Sequence, residues 1–173
     1  LWDAIEAAKS KPFGYEAFYP GPGVGGHCIP IDPNYLSWLV RSVGYRFRFV
    51  ELAEEISDRM PAYVAKRVQD ALNFARKSVN GSVVLLLGVT YKANVRDQRE
   101  TPARPLAALL RKMGAEVRFF DPFVDVFMVN GEELTGEPNL GEAIAAADIV
   151  VLLQAHDEIL ESDTLGTAEH VLD

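Results

Sequence analysis

The residues with the clearest chemical potential stand together in Tyr19-Pro-Gly-Pro-Gly-Val-Gly-Gly-His-Cys-Ile-Pro-Ile-Asp-Pro-Asn-Tyr35. Cys28 is the chain's single cysteine and follows four glycines in six positions, Gly21, Gly23, Gly25 and Gly26. Glycine has no Cβ, so such a loop lets a ligand approach the backbone. Asp32-Pro33 reads as a helix start, Asp as N-cap and Pro at the first helical position. Cys28 then lies four positions before the cap, where amide donors and the positive end of the helix dipole favour a thiolate nucleophile. The competing reading is a small buried hydrophobe, the commonest fate of a lone cysteine. His27 is a poor base for the thiol, because adjacent side chains point apart. One Cys and three scattered His (27, 156, 170) show no metal-ligand spacing, so no metal site is expected.

A second cluster is Thr90-Tyr-Lys-Ala-Asn-Val-Arg-Asp-Gln-Arg-Glu-Thr-Pro102. Lys92, Arg96 and Arg99 bring positive charge to a chain of net charge −8. The segment follows an apolar run, Val83 to Val89, that reads as a strand buried on both faces, and it leads into a helix. Loops at the carboxyl ends of parallel strands are where open α/β sheets bind ligands. Asp121, at the end of the next strand, either meets a ribose hydroxyl or caps the Asp121-Pro122 turn. His156, after a third strand, reads as a surface loop histidine.

The elements that must position these groups fall into two parts. Leu1–Ser10 reads as the tail of an amphipathic helix. A helix from Asp32 ends near Ser42, before Gly44. Apolar residues at Leu52, Ile56, Met60, Val64, Val68 and Leu72 then mark a long helix over 48–77, kinked or divided at Pro61. Its stripe exceeds what residues 1–44 can cover, so core packing and a subunit interface are both expected uses. After the polar turn at 78–82 the pattern changes to strands alternating with helices: 83–89, helix to Met113, 116–121, helix 140–147 and 148–153. Phe127–Leu134, with its Asn-Gly pair, reads as a hairpin. The fold class is therefore α/β. A helical central and dimerisation segment (1–79) carries the cysteine loop, followed by a Rossmann-like parallel-sheet domain (80–173) that lacks its last elements. Both ends read as interior to a longer chain.

The acidic balance argues against a nucleic-acid or anionic-membrane binder, and no apolar run approaches the length of a membrane span. The single cysteine and lack of a signal-peptide pattern make a cytoplasmic location the expectation. Gly21-Pro-Gly-Val-Gly-Gly26 spells the dinucleotide fingerprint, but Phe18-Tyr19-Pro20 precedes it in place of a buried strand, so it is read as a decoy.

The cysteine motif resembles the active-site signature of the UDP-glucose/GDP-mannose dehydrogenase family, and its Gly-Gly-His-Cys-Ile-Pro form is similar to the branch acting on UDP-N-acetylhexosamines. The resemblance extends through Arg59-Met-Pro61, Gly88-Val-Thr-Tyr-Lys92, Asp97 to Pro102, Asp121-Pro122 and the strand after Ala147. It implies an NAD-dependent, two-step oxidation of a sugar C6 alcohol to a carboxylate. Cys28 would capture the aldehyde as a thiohemiacetal and then a thioester, with Asp32 helping to activate water. Tyr19, the backbone of Gly21, Gly23, Gly25 and Gly26, Tyr91 and Lys92 would contact the UDP-sugar, and Arg99 would lie near the cofactor. The resemblance also implies a homodimer through the long helix, and NAD held mainly by an N-terminal domain that this sequence lacks. Ile31 stands where glucose-type members carry lysine. Arg96 departs from the family pattern. Without the NAD domain the chain is expected to be inactive alone, and a non-catalytic UDP-sugar-binding and dimerisation module is the competing reading.

Overall fold

The computed structural model describes all 173 residues. Helix α1 (Trp2–Lys9) leads through an extended segment to α2 (Cys28–Ser42) and the long α3 (Arg48–Phe74). Helix α3 is one uninterrupted helix of 27 residues with Pro61 inside it and buried, so the expected division at that proline does not occur. Its helical residues also stop at Phe74, three short of Lys77.

The α/β part is β1 (Val83–Leu87), α4 (Ala103–Lys112), β2 (Glu116–Phe120), the hairpin strands β3 (Val126–Val129) and β4 (Glu132–Thr135), α5 (Leu140–Ala146), β5 (Ile149–Leu152), α6 (Asp157–Leu160), a 3-10 turn at Leu165–Thr167 and β6 (Val171–Leu172). The main sheet has the order β2-β1-β5-β6, and β1 pairs in parallel with both β2 and β5. β6 adds a fourth parallel strand where the sequence reading placed none. The Asn130-Gly131 pair turns the antiparallel hairpin, both residues at positive φ as such a turn requires.

Alternate residues of β1 face opposite ways and are covered on both sides. Val84 and Leu86 join a core made by Ala65, Val68 and Leu72 of α3, Leu106 and Leu110 of α4, and Phe119 and Phe127. Leu85 and Leu87 pack with Ala143 and Ile144 of α5 and Ile159 of α6. The continuous apolar run is thus the signature of a strand buried on both faces. The chain runs β1 to β2, then crosses back over β1 to β5. The carboxyl ends of β1 and β5 therefore lie at the point where strand order reverses, the usual ligand crevice of such sheets.

Candidate active site

At the cysteine loop the helix begins earlier than its sequence suggests. Helix α2 opens at Cys28, with His27 as its N-cap residue, so Asp32 is not the cap but lies one turn inside, and Pro33 lies inside the helix as well. Pro30, the third helical residue, falls among the first-turn amides that have no partner, whereas Pro33, six positions in, removes one i→i−4 bond. Two consequences follow. Cys28 occupies the first helical position, with the unpaired amides and positive dipole end at its own turn. Asp32 follows at i+4, on the same helix face, where side chains are neighbours. Cys28 is exposed.

The glycine loop is held from both sides. The Val24 N–H donates to Ser57 Oγ of α3 at 3.1 Å. The Gly26 N–H donates to the Arg99 carbonyl at 3.0 Å. A Cβ on Gly25 would sit 2.6 Å from Tyr91 Cβ and 2.8 Å from the Glu100 carbonyl oxygen, and one on Gly26 2.8 Å from the Tyr91 ring. Gly26 also has φ +92°, which disfavours side chains. These two glycines thus admit the Tyr91 loop of the α/β part, which fills the space beside them. Gly23 packs on Pro102, while Gly21 is open on its Cβ side. No strand precedes the run and Tyr91 takes up the space at Gly25 and Gly26, so these residues do not fit a dinucleotide.

The loop from Thr90 to Glu100 is ordered by its own polar groups. The Tyr91 N–H donates to the Asp97 carbonyl at 3.0 Å. Arg99 donates to the Asp97 carboxylate through Nη2 at 2.6 Å and Nε at about 3.0 Å, and through its backbone N–H. That guanidinium holds the Asp97 carboxyl below the usual carboxylate range. The same pairing raises Arg99, with smaller contributions from Tyr91 and Cys28. Lys92 is exposed. Arg96 pairs with Asp125 at 3.5 Å, both largely exposed, an arrangement of little energetic weight.

Tyr19 is occupied elsewhere. Its hydroxyl donates to Glu6 Oε1 at 2.6 Å and accepts from Lys9 Nζ at 3.0 Å, and its ring stacks on Trp2. The structure thus brings Cys28, Asp32, Gly25, Gly26, Tyr91 and Arg99 together and ties Tyr19 to α1. A cavity of about 250 Å³ lies beside them, between the start of α2 and α3, lined by Val24, Ile29, Pro33, Glu54 and Asp58 among others.

His156 corrects the sequence reading outright. It is fully buried. Its Nδ1 accepts the Asn94 N–H at 2.9 Å, and Nε2 lies 3.1 Å from Asp121 Oδ2 and 3.2 Å from Thr90 Oγ1. Asp121, also buried, accepts from the Val89, Thr90 and Phe123 N–H groups. It caps the turn as one of the two expected uses, and it joins three loops besides. Sequence reasoning missed this knot, although both residues stand at strand carboxyl ends.

An open parallel sheet with a crevice at its switch point is joined here to a helix that opens on an exposed cysteine. The comparisons place it. Residues 85–173 match the UDP-binding domain and residues 1–59 the central domain of the UDP-glucose/GDP-mannose dehydrogenase family, and the chain belongs to that family. It is 38% identical over 157 residues to the UDP-N-acetyl-D-mannosamine dehydrogenase of Methanococcus maripaludis, covering 91% of this chain and 34% of the relative. It is 34% identical to the UDP-N-acetyl-D-glucosamine 6-dehydrogenase of Pseudomonas aeruginosa, covering 98% and 41%. Among solved structures, the UDP-D-ManNAc dehydrogenase of Pyrococcus horikoshii superposes with TM-score 0.79 at 30% identity, covering 98% of this chain and 39% of that one. The chain spans roughly a third of the length of these relatives.

Proposed function

We propose that this chain supplies the nucleotide-sugar site and the nucleophile of an NAD-dependent UDP-N-acetylhexosamine 6-dehydrogenase. The observation that carries the reading is Cys28 at the first position of α2, with Asp32 one turn on and the Arg99 carbonyl bonded to the Gly26 N–H two residues before it. The unpaired amides of the first turn lie at the end of the helix where the charge of an attacking sulfur would develop. Cys28 Sγ would add to the C6 aldehyde to give a thiohemiacetal, which places the carbon that is oxidised next at a fixed point. NAD, when bound, accepts the hydrides. Its site would lie on residues other than these. Asp32 would orient the water that hydrolyses the resulting thioester. Lys92, Tyr91 and the glycine-loop backbone open at Gly21 would lie along the UDP-sugar, in the crevice at the end of β1. The names of the relatives that the chain resembles favour an acetamido sugar.

A homodimer through α2 and α3 belongs to the same proposal. Trp38, Leu39, Val43, Phe49, Leu52 and Ile56 are all exposed on these helices, an apolar surface larger than an isolated chain ordinarily leaves in water.

Titration calorimetry with UDP and with UDP-N-acetylhexosamines tests the binding. The expected result is saturable heat that Lys92→Ala weakens about tenfold or more, the loss of one charge-assisted phosphate contact. Absence of heat and of any thermal shift would count against the site.

A further inference from the structure

The hairpin of β3 and β4 stands outside the four-stranded sheet, and nothing in the chemistry above uses it. Its free edge nevertheless meets the loop on which the glycine run rests. We propose that Arg104, the second residue of α4, is a positioning residue that braces the Gln98–Thr101 turn from this hairpin and so sets where the glycine loop lies. The proposal rests on the reading of that loop as part of the nucleotide-sugar site.

Within the hairpin the Asp125 carbonyl accepts the Gly136 N–H at 2.8 Å. By alternation the carbonyls of Val126 and Met128 face the other way, along the edge that no strand covers. Side chains of the loop and of α4 take both of them. Gln98 Nε2 donates to the Val126 carbonyl at 3.3 Å, and Arg104 Nε donates to the Met128 carbonyl at 3.2 Å. Arg104 Nη2 donates in turn to the Gln98 carbonyl at 3.2 Å, and the guanidinium lies over the buried Phe127 ring, 5.8 Å from its centroid. One half-buried fork thus bridges the backbones of two segments. A planar guanidinium holds two acceptors at a fixed spacing, which an ammonium on a flexible stem does not. The other link from loop to hairpin, Arg96 to Asp125, is long and exposed and carries little weight.

The turn so braced does not hold by local preference. The Thr101 N–H closes it on the Gln98 carbonyl at 3.4 Å, and Glu100 inside it stands at φ +48°. A residue with a Cβ keeps that conformation only where its surroundings over-determine it. The glycine loop docks on this turn. The Gly26 N–H donates to the Arg99 carbonyl at 3.0 Å. A Cβ on Gly25 would lie 2.8 Å from the Glu100 carbonyl oxygen, and one on Gly23 would lie 3.0 Å from Pro102 Cβ. Three glycines therefore rest on residues 99, 100 and 102, and Cys28 opens α2 two residues past the last of them. A turn released from the hairpin takes the loop backbone with it.

Amide hydrogen exchange at Gly26 reads the brace directly. That residue is buried, and its N–H exchanges only when its bond to Arg99 opens. In the 173-residue chain the Gly26 amide should be protected well beyond a free loop. Arg104→Ala should speed its exchange about tenfold or more, the loss of hydrogen bonds from a charged donor. Arg104→Lys should recover only part of the protection, because one ammonium does not meet both carbonyls. Gln98→Ala, which removes the Val126 bond alone, should fall between parent and Arg104→Ala. The amides of Val84 to Leu86 in β1 serve as the internal reference. A role in overall stability would speed Gly26 and β1 by the same factor, whereas a positioning role moves Gly26 by the larger one. Equal factors, an unchanged Gly26 rate in folded Arg104 variants, or a parent Gly26 exchanging at free-loop rates would each overturn the proposal. If Arg104→Ala does not fold, Arg104→Lys and Gln98→Ala decide by the same comparison. The measurement needs no UDP. Absent nucleotide heat with the Gly26 response intact would sink the binding reading and leave the brace standing.

Discussion

The two halves of the molecule bury themselves to very different degrees. Among residues 1–59 only Ile5, Gly26 and Ser37 are buried, while the six residues from Val84 to Val89 are buried without exception. The α/β part buries both faces of β1, one of them with the help of the C-terminal half of α3. The cysteine-bearing part leaves Trp38, Val43 and Phe49 more than 70% exposed. Hydrophobic side chains left in water at that density contribute no folding energy until something covers them. The candidate site therefore sits on the half that buries least of itself, and its glycine loop is anchored from both halves. Ser57 of α3 and the Tyr91–Arg99 segment are the anchors of the glycine loop.

Substitutions in the two halves should separate along this line. Phe119 is fully buried and meets Phe127 edge to face at 5.7 Å. Phe119→Ala should cost about 3–5 kcal/mol of unfolding free energy, measured by urea denaturation. A loss below about 1 kcal/mol would mean that the sheet core is not the stabilising unit. Phe49 is 84% exposed and should behave in the opposite way. Phe49→Ser should leave the urea midpoint of a dilute, monomeric sample nearly unchanged. It should also weaken self-association at least about tenfold, as followed by sedimentation equilibrium. An unaltered association constant would remove the α2–α3 face from the proposed dimer.

How much of this was legible beforehand follows from the range of each interaction. β1, β2, β5 and the hairpin rest on local signals, the doubly buried apolar run and the Asn-Gly turn, and those signals were sufficient. The alternation of strands with helices carried the α/β class correctly as well. The start of α2 was misplaced because Asp32-Pro33 is a strong local start, and it was overridden by Pro30 and Cys28 entering the helix with the docked glycine loop. His156 was misread for a different reason. Its partners Asp121 and Asn94 lie 35 and 62 residues away, and they meet it only because β2 and β5 flank β1. Sheet order was the missing datum. Pro61 lies buried inside α3 without dividing it, and the packing of α3 through Ala65, Val68 and Leu72 outweighs the one i→i−4 bond that proline removes.

The seam between the halves offers the smallest and most specific test. Lys77, just past α3, donates to Asp148 Oδ1 at 2.7 Å, and the Val83 N–H donates to Oδ2 at 2.8 Å. The Lys77 ammonium, and after it the Val83 amide, hold the Asp148 carboxyl below its ordinary value. A carboxylate with a depressed pKa in the folded state stabilises the fold above its unfolded pKa of about 3.9. That contribution disappears as the pH falls through the lower folded value. Lys77 is shifted upward by the same contact, so its share persists through neutrality and is lost only in the alkaline range, as pH rises through the raised value. Asp148→Asn should therefore cost about 1 kcal/mol at pH 7, since the pair is partly exposed and the amide still accepts from Val83. The gap between variant and parent should stay constant from pH 5 to 8 and narrow below pH 4. Urea midpoints across that range give the measurement, and a gap that widened on acidification would show that Asp148 is not ionised where it joins α3 to the sheet.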